Sequence, residues 1–451
     1  MKDNKKVKEV KARVVKEEFS GKNLTLFGGA GLIRRFFDKL KLMDTLSSLD
    51  SVHPKQQGYQ SSQMVTSLLY GLFFGLSRPY NMLALCWDGV FQTVSRLFSF
   101  PVQSTISRFL AGVSKAVGDK VAEINLDMLL KMRDGFKEFL LGITIDLDSH
   151  VTTVFGNQQR AKVGYNPKKN GRKSYHPLMA FIGETRDFIK GSIRPGNRHT
   201  SYDARGFVAS IIRALPVKVR RLRADCGFFS TDFIWWLRKK GIEYYIAVPL
   251  HPWVQKMILS QEKWVPIKRG ITGKELELSL GKTVSCRLVV IRTEIGKKEK
   301  PKKQLSLIKG YDALYDYQVI ATNSRRSPYE IWKFYNKRAN CENMIKEGIY
   351  SFGMDNMVSH EYAGNVFWFQ TVMLGYNLMN WFKEKVLGQE EKKSFGESIR
   401  QRLFLTCLCR ARHGRQVPGR LIQSGRRVIL RLAENWYWRG DFEAALDRLS
   451  S

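Results

Sequence analysis

The spacing of apolar residues separates the N-terminal third of the chain from the rest. From Gly28 to about Leu140, apolar residues recur at intervals of three and four, which is typical of amphipathic helices. Residues 1–20 are charged and lack this period. We therefore predict that residues 1–140 form a helical domain whose first residues are frayed.

The longest apolar stretch runs from Met64 to Leu76 and is interrupted by Thr66, Ser67 and Gly71. A helix that spans a membrane needs about 20 consecutive apolar residues. The stretch is shorter than that, so it predicts a buried helix and no membrane partner.

At Gly142 the pattern changes to a period of two. Apolar Ile143, Ile145 and Leu147 alternate with polar residues, among them Asp146 and Asp148, which predicts a strand with one buried face. Further along, the pattern predicts strands at Val217 to Ala224 and Ile242 to Val248, with a helix at Thr231 to Lys240 that stops at Gly241. This βαβ rhythm indicates an α/β layer in residues 141–248.

The helical period is absent between residues 249 and 314, where Leu276 to Leu280 and Val284 to Arg292 resemble strands. We interpret residues 249–314 as a β-rich insertion. Tyr315 to Thr322 predicts another strand, and the pattern from Ser327 onward is helical to the end. Residues 315–451 would then complete the α/β layer and end in basic helices.

The charge balance narrows the class of partner. Lys and Arg total 75 against 41 for Asp and Glu, giving a formal net charge of +34. Such an excess repels itself, and a polyanion relieves the repulsion. Nucleic acid is the leading candidate, ahead of ribosome-like stickiness or a basic protein at a membrane surface. The N-terminus lacks the apolar core of a signal peptide, so we expect a cytoplasmic, nucleoid-associated protein.

Three acidic positions stand out by their context. Asp146 and Asp148 lie on the polar face of the first strand, and we favour Asp148 over Asp146 as the functional residue. Asp225 follows the strand Val217 to Ala224, at the edge of an α/β sheet where ligand-binding groups converge. Glu342 shares one helical face with Tyr335 and Arg338, because the three residues are spaced by three and four.

Carboxylates from two strands and a helix suit hard divalent cations. Two such ions about 3.5–4 Å apart assist displacement at a phosphodiester from both sides. We therefore predict that Asp148, Asp225 and Glu342 are catalytic residues that ligate two metal ions. Each acid taken alone is better explained as a surface ion pair or a cap.

Basic residues supply candidate DNA contacts. Tyr335 and Arg338 would reach phosphates beside the metals, and Lys346 lies one turn after Glu342. The Gly/Pro/Asn-rich stretch Gly164 to Pro177 carries three further candidates, Lys168, Lys169 and Arg172.

Arg108 is the last candidate contact. It follows Ser104, a plausible N-cap, in the second helix of a helix-turn-helix candidate, for which an ordinary pair of packed helices is an equal alternative.

At these motifs the chain resembles insertion-sequence transposases of the DDE class, in the bacterial branch with a β-strand insertion between the second aspartate and the glutamate. The run Tyr335-x-x-Arg338-x-x-x-Glu342 resembles the signature helix of that branch. The other similar segments are Asp148-Ser149, Arg223-x-Asp225-x-Gly227-Phe228, Gly164-Tyr165-Asn166-Pro167 and Ser174-Tyr175-His176-Pro177.

The resemblance implies an α/β fold with a ribonuclease-H-like core, a β-rich insertion and a helical N-terminal domain that is a candidate for DNA binding. It also implies dependence on Mg²⁺, with Mn²⁺ as an alternative ion. The expected partners are double-stranded DNA, as terminal inverted repeats and target DNA, and a second copy of the chain in a synaptic complex. The expected activity is DNA cleavage followed by strand transfer.

Three other functions remain open, the weakest of them a basic RNA-binding protein, since the chain carries no aromatic RNA-recognition signature. A nuclease of the same fold would use the same carboxylates without joining DNA. A non-catalytic DNA-binding protein derived from a transposase would explain the charge, and Ile349 stands where the family pattern often has lysine.

Overall fold

The computed structural model describes residues 22–52, 58–97, 99–260, 263–280, 284–295, 315–405, 419–424, 427–432, 436 and 438–450. A short strand, β1 (Leu24–Thr25), precedes the N-terminal helices. These are α1 (Ala30–Lys39), α2 (Leu42–Leu46), α3 (Leu49–Val52), α4 (Ser61–Phe73), α5 (Leu83–Cys86), α6 (Gly89–Ser95), α7 (Gln103–Gly112) and α8 (Lys115–Met132). The predicted helical character of this region is confirmed, and α4 is buried along nearly its whole length.

The α/β part begins after α8. Its elements are β2 (Ile143–Ser149), β3 (Thr152–Thr153), β4 (Lys162–Val163), β5 (Lys173–Tyr175), β6 (Leu178–Ile182), β7 (Phe188–Ser192), α9 (Ala204–Ala214), β8 (Val219–Ala224), α10 (Thr231–Lys239) and β9 (Glu243–Ala247). The strands predicted around Asp148, Asp225 and residue 245 are confirmed, as is the helix between the last two. Gly241 has a φ of +66°, which fits the predicted stop after α10.

The remaining elements are α11 (Pro252–Leu259), β10 (Val265–Lys268), β11 (Ile271–Leu280), β12 (Val284–Glu294), β13 (Tyr315–Thr322), α12 (Pro328–Asn336), α13 (Ala339–Phe352), α14 (Tyr362–Phe382), α15 (Gly396–Ile399), β14 (Gly419–Ser424), β15 (Arg427–Arg431) and α16 (Arg439–Ser450). Helix α11 falls in the segment predicted to lack helices, so that part of the prediction is wrong. Pro252 lies in its first turn, where proline is common in helices.

The large sheet has the order β10-β11-β12-β13-β9-β8-β2-β6-β7 among the described residues. Strands β8 and β9 run parallel to β2, while β6 and β7 form an antiparallel meander on its other side. This is the arrangement of a ribonuclease-H-like core. The strands of the insertion continue the same sheet, because β13 pairs with both β9 and β12.

The first strand, β2, lies at the centre of this sheet. The sequence predicted one buried face, but residues 143–148 are all buried. The polar face of β2 is covered by other elements, so Thr144, Asp146 and Asp148 point into protein. The alternation of polar and apolar residues therefore indicated a buried polar site and not a solvated face.

The predicted helical C-terminus is also wrong in part. Strands β14 and β15 form an antiparallel pair, and β14 also pairs with β1. The β-branched residues of β15, Val428 and Ile429, favour a strand, and the partner β1 lies at the other end of the chain. Local periodicity carries no information about that partner. Residues 406–418, which carry three of the arginines expected in basic helices, lie outside the described residues.

Helix α14 holds the two ends of the chain together. It is 21 residues long and buried on all sides, and α4, α7 and α8 of the N-terminal region pack directly against it. The helical N-terminal region thus shares its hydrophobic core with the C-terminal part, and its separation as a domain at residue 140 stays a proposal. Within the described part of the chain, every helix is too short or too polar to span a lipid bilayer.

Helix α7 begins one residue before the predicted cap. Val102 is the N-cap residue, so the prediction that Ser104 caps the helix is wrong. Phe109 packs against Phe367 of α14 with ring centroids 5.2 Å apart. The predicted polar face is confirmed, since Ser107 and Arg108 are exposed.

A buried ionic network joins α8 to the sheet and to α14. The Arg133 guanidinium donates to Asp187 at 2.7 Å and to both oxygens of Glu384 at 2.8 and 3.0 Å. Asp187 also accepts hydrogen bonds from Asn380 and Trp381. All of these groups are buried, so each depends on the others for neutralisation.

We expect Arg133→Ala to lower the free energy of unfolding by about 3–5 kcal/mol, because it leaves buried Asp187 without its cation and leaves Glu384 with Lys385 and Lys392 alone. Lys137→Ala removes an exposed pair with Asp134 and should change stability by less than about 0.5 kcal/mol. Urea unfolding followed by tryptophan fluorescence measures both. Equal midpoints for the two variants would contradict a stabilising role for the network.

Candidate active site

The register between β2 and β8 brings two aspartates together. The two strands are parallel, with Asp146 beside Arg223 and Leu147 beside Ala224. Asp148 and Asp225 are the next residues, so they leave the sheet side by side at its carboxyl edge. Neighbouring strands lie about 4.8 Å apart, which sets the spacing of the two backbones.

An open pocket with a volume of about 410 Å³ lies at this edge. It is lined by Asp148, Asp225, Cys226, Ala247, Gln318, Tyr335, Asn336, Arg338, Ala339 and Glu342. The three predicted catalytic carboxylates thus line one pocket, although they are separated by 77 and 117 residues in the sequence.

Asp148 is the buried acid of the pocket, with 6% of its surface exposed. Its Oδ1 accepts the backbone N–H of Ser149 at 2.8 Å, and its Oδ2 accepts Nη2 of Arg338 at 2.7 Å. Burial raises the pKa of Asp148 to about 7, and the charges of Asp225 and Glu342 act in the same direction, against Arg338. A proton or a second cation at this carboxyl is therefore favoured near neutral pH.

Asp146 has a different environment from Asp148. It is fully buried and forms a two-pronged ion pair with Arg223, at 2.6 and 2.7 Å. Gly183 permits this pair, since a Cβ at that position would lie 2.5 Å from Nη2 of Arg223. Asp146 does not line the pocket. The geometry therefore favours Asp148, as the sequence analysis did.

Glu342 and Arg338 lie at a break between two helices. The sequence predicted one helix carrying Tyr335, Arg338 and Glu342, but α12 ends at Asn336 and α13 begins at Ala339. All three side chains still face the pocket. Nη1 of Arg338 lies 3.4 Å from Glu342, whose side chain is 55% exposed, so the guanidinium lies between Asp148 and Glu342.

Arg338 and Tyr335 are both buried, and their contacts differ from the predicted phosphate contacts. The Tyr335 hydroxyl donates to the carbonyl oxygen of Ala224 at 3.4 Å. Nε of Arg338 is buried and has no hydrogen-bond partner among the described residues. A buried N–H without a partner is uncommon in folded proteins.

Asp225 caps the short helical turn that follows β8. Its side chain accepts the backbone N–H of Gly227 at 3.0 Å. A Cβ at Gly227 would lie 2.8 Å from Thr200, so this position requires glycine for close approach. The turn that carries Asp225 is therefore packed against residues 194–202 of the neighbouring loop.

The other predicted DNA contacts lie outside the pocket. Arg108, Lys346, Lys168, Lys169 and Arg172 are all exposed. The last three belong to the loop between β4 and β5, and β5 pairs with both β3 and β4 in a small sheet. Because β3 follows β2 directly and β5 leads to His176, this small sheet projects from the edge of the pocket.

Sequence reasoning gave no role to the groups that hold the aspartates. These are Arg223, Ser149, His176 and Arg194. Arg223 was detectable, since it precedes Asp225 by two residues and therefore shares its face of β8. Arg194 carries no such signal, because its partners are backbone carbonyls of a loop.

The donor set fits a hard divalent cation, since three carboxylates line one pocket and the most buried of them has a raised pKa. Among the described residues, no group of three or more His, Cys, Asp and Glu side chains is already spaced as metal ligands. The Arg338 guanidinium accounts for this, because it separates Asp148 from Glu342. The residues therefore have the chemistry of a metal site, with the Arg338 guanidinium in the place of a metal ion.

Comparison with known proteins gave two findings. A family model described as transposase DDE domain group 1 matches residues 7–451. The solved structure of the piggyBac transposase synaptic complex with hairpin DNA is similar at a TM-score of 0.45 and 11% identity, over 94% of this chain and 88% of that one. None of the curated proteins matches the chain.

The raised pKa of Asp148 predicts how stability depends on pH when no metal is present. Between pH 3.8 and about 7 the folded protein keeps a proton that the unfolded chain releases. The contribution of this proton is complete below pH 3.8 and is lost as the pH rises through 7. At about 1.4 kcal/mol per pKa unit, the loss is on the order of 4 kcal/mol.

In EDTA, the free energy of unfolding of the wild type should therefore fall over this range relative to that of Asp148→Asn, which mimics the protonated acid. The control Asp119→Asn, at an exposed aspartate, should run parallel to the wild type. A constant difference between wild type and Asp148→Asn would show that Asp148 is charged throughout.

Proposed function

The chain belongs to the transposase DDE domain group 1 family, and from this premise we propose that Asp148, Asp225 and Glu342 are the residues with which it cuts and joins DNA. It is a DNA transposase, an enzyme that cleaves DNA. The observation that carries the assignment is the single pocket lined by all three carboxylates. The comparisons lend no support to a stand-alone nuclease or a non-catalytic DNA-binding protein.

Enzymes of the DDE class use divalent metal ions, generally Mg²⁺. We assign two ions to Asp148, Asp225 and Glu342, with Mn²⁺ as a substitute. When bound, such ions activate the attacking oxygen and stabilise the departing one. Support comes from the donor chemistry and from the raised pKa of Asp148, which burial causes and the charges of Asp225 and Glu342 reinforce.

Arg338 is assigned to the substrate phosphate. Two of its nitrogens contact Asp148 and Glu342, while the buried Nε–H has no acceptor among the described residues. A phosphate entering the pocket would compete with these carboxylates for the guanidinium, which binds phosphate oxygens through parallel N–H donors. Tyr335 lines the same wall, and its long contact with Ala224 is weak enough to exchange for a phosphate oxygen.

The small sheet formed by β3, β5 and β4 is assigned to the DNA flanking the cleaved phosphate. It leaves the core directly after Asp148-Ser149 and returns at His176, and it presents Lys168, Lys169 and Arg172 to solvent. A rise of about 3.3 Å per residue puts Arg172 about 13 Å, and Lys169 at most about 23 Å, from His176 along the chain, so DNA bound at the pocket would reach this tip. Lys346 and Arg108 would contribute more distant phosphate contacts.

The finer assignments rest on the resemblance of the Tyr335 to Glu342 motif. They are an origin in a bacterial insertion sequence, recognition of terminal inverted repeats and target DNA, strand transfer by the newly exposed hydroxyl, and a complex of two copies of the chain. The domain limits at residues 140, 248 and 314 belong to the same group of proposals.

Glu342→Gln and Asp225→Asn should each abolish Mg²⁺-dependent cleavage of an end-labelled DNA terminus. Both changes remove a ligand charge while keeping the shape of the side chain, so DNA binding in EDTA should stay within about twofold of the wild type. Glu138→Gln, at an exposed glutamate outside the pocket, is the matched control. Cleavage that survives in either variant would remove that carboxylate from the catalytic set.

Replacement of Lys168, Lys169 and Arg172 by glutamine should reduce the dependence of DNA binding on salt. Each lost phosphate contact lowers the slope of log K against log salt by about 0.9. The control replaces Lys131, Lys137 and Lys218, three exposed lysines outside both this loop and the pocket. Fluorescence anisotropy at several salt concentrations measures both, and an equal loss of slope in the two triple variants would refute a dedicated role for the loop.

A further inference from the structure

A chain of hydrogen bonds connects Asp148 to a buried histidine. The backbone N–H of Ser149 donates to Oδ1 of Asp148 at 2.8 Å, and the Ser149 hydroxyl lies 2.9 Å from Nε2 of His176. Nδ1 of His176 lies 3.0 Å from the carbonyl oxygen of Arg198. His176 is 6% exposed, so these contacts are its main polar environment.

The direction of the hydrogen bonds follows from the groups involved. A carbonyl oxygen only accepts, so Nδ1 of His176 must carry the hydrogen. Burial lowers the pKa of His176, which leaves the ring neutral with a lone pair on Nε2. The Ser149 hydroxyl is therefore the donor to Nε2, and the position of Ser149 is fixed by the ring.

The same histidine is tied to the loop that packs against the turn of Asp225. The backbone N–H of His176 donates to the carbonyl of Arg194 at 2.7 Å, and Nε of Arg194 donates back to the His176 carbonyl at 3.0 Å. The Arg194 guanidinium also donates to the carbonyl oxygens of Thr200 and Tyr202. Thr200 is the residue in close approach to Gly227, beside Asp225.

We propose that His176 is a positioning residue for the two aspartates, holding Asp148 through Ser149 and the turn of Asp225 through the 194–202 loop. The inference rests on the proposed function, because it takes Asp148 and Asp225 to be metal ligands. Without His176, Asp148 would keep Arg338 and the backbone N–H of Ser149, but Ser149 would lose the contact that fixes its side chain, and Arg338 also contacts Glu342. Groups that orient metal ligands typically change metal affinity by about 10–100-fold when they are removed.

Ser149→Ala is the decisive variant, since it deletes the hydroxyl and keeps the backbone N–H on Asp148. Mn²⁺ is the probe, with free ion measured by electron paramagnetic resonance. We expect a Kd for Mn²⁺ at least about tenfold weaker than in the wild type, with DNA binding in EDTA unchanged. Ser149→Thr, which keeps the hydroxyl, should restore most of the affinity.

The 194–202 loop supplies a matched control. The Ser201 hydroxyl lies 2.9 Å from Nδ1 of His199, a serine–histidine pair of the same length that is exposed and has no contact with Asp148. Ser201→Ala should leave Mn²⁺ affinity unchanged. If Ser149→Ala and Ser201→Ala weaken Mn²⁺ binding by similar factors, the effect comes from general loosening of the loop. That result would overturn the proposal.

His176→Asn tests the link itself, because its amide nitrogen can reach the Arg198 carbonyl in the place of Nδ1 but nothing reaches Ser149. If Ser149 and His176 act as one unit, the double variant Ser149→Ala/His176→Asn should bind Mn²⁺ no more weakly than the worse single variant. Additive losses would overturn the proposal, and if the His176 variant fails to fold, Ser149→Ala decides alone.

Failure of this inference is distinguishable from failure of the proposed function. If wild type binds Mn²⁺ in a manner that Glu342→Gln abolishes, while Ser149→Ala binds as wild type does, only the positioning role is refuted. If the wild type binds no Mn²⁺ at all, the assignment of the three carboxylates is refuted, and with it the role of His176.

Discussion

The contact between Asp148 and Arg338 is the constraint on which the site depends. It joins the carboxyl end of a central strand to a helix junction 190 residues later. Burial makes either charge unfavourable without the other. With Arg338 in place, burial still raises the pKa of this carboxyl to about 7, and three carboxylates face this one guanidinium in the pocket. The site is therefore built with a deficit of positive charge in a protein that otherwise has a large excess.

Beneath the acidic layer lies a layer that is fully balanced. Asp146 and Arg223 are neighbours in the register of β2 and β8, two residues before Asp148 and Asp225 on the same faces. A slip of one residue between these strands would bury Asp146 without Arg223 and would turn Asp225 away from the pocket. The buried pair thus penalises the wrong register, and the correct register is the one that places the two aspartates proposed as metal ligands side by side.

The sequence predicted what depends on local patterns and on residue type. The strands at Asp148 and Asp225, the helix of Glu342 and the β-rich insertion were all accessible in this way. The pairing of β14 with β1 could not be predicted, because the partners are about 395 positions apart and local periodicity carries no information about distant partners. The break at Lys337-Arg338 was hidden for another reason, since the spacing of Tyr335, Arg338 and Glu342 fits a continuous helix equally well.

The contrast between the charge of the whole protein and the charge of the pocket bears on substrate entry. A net charge of +34 attracts the DNA backbone from any direction and carries no information about which phosphate is cut. On the proposed assignment, three carboxylates inside the pocket oppose a phosphate, while Arg338 and Tyr335 favour it. The overall field would then concentrate DNA on the surface, and the pocket would admit a phosphate only when its own negative charge has been offset. DNA binding at the surface would thus be separate from entry of a phosphate into the pocket, and cleavage would require an assembled site in addition to binding.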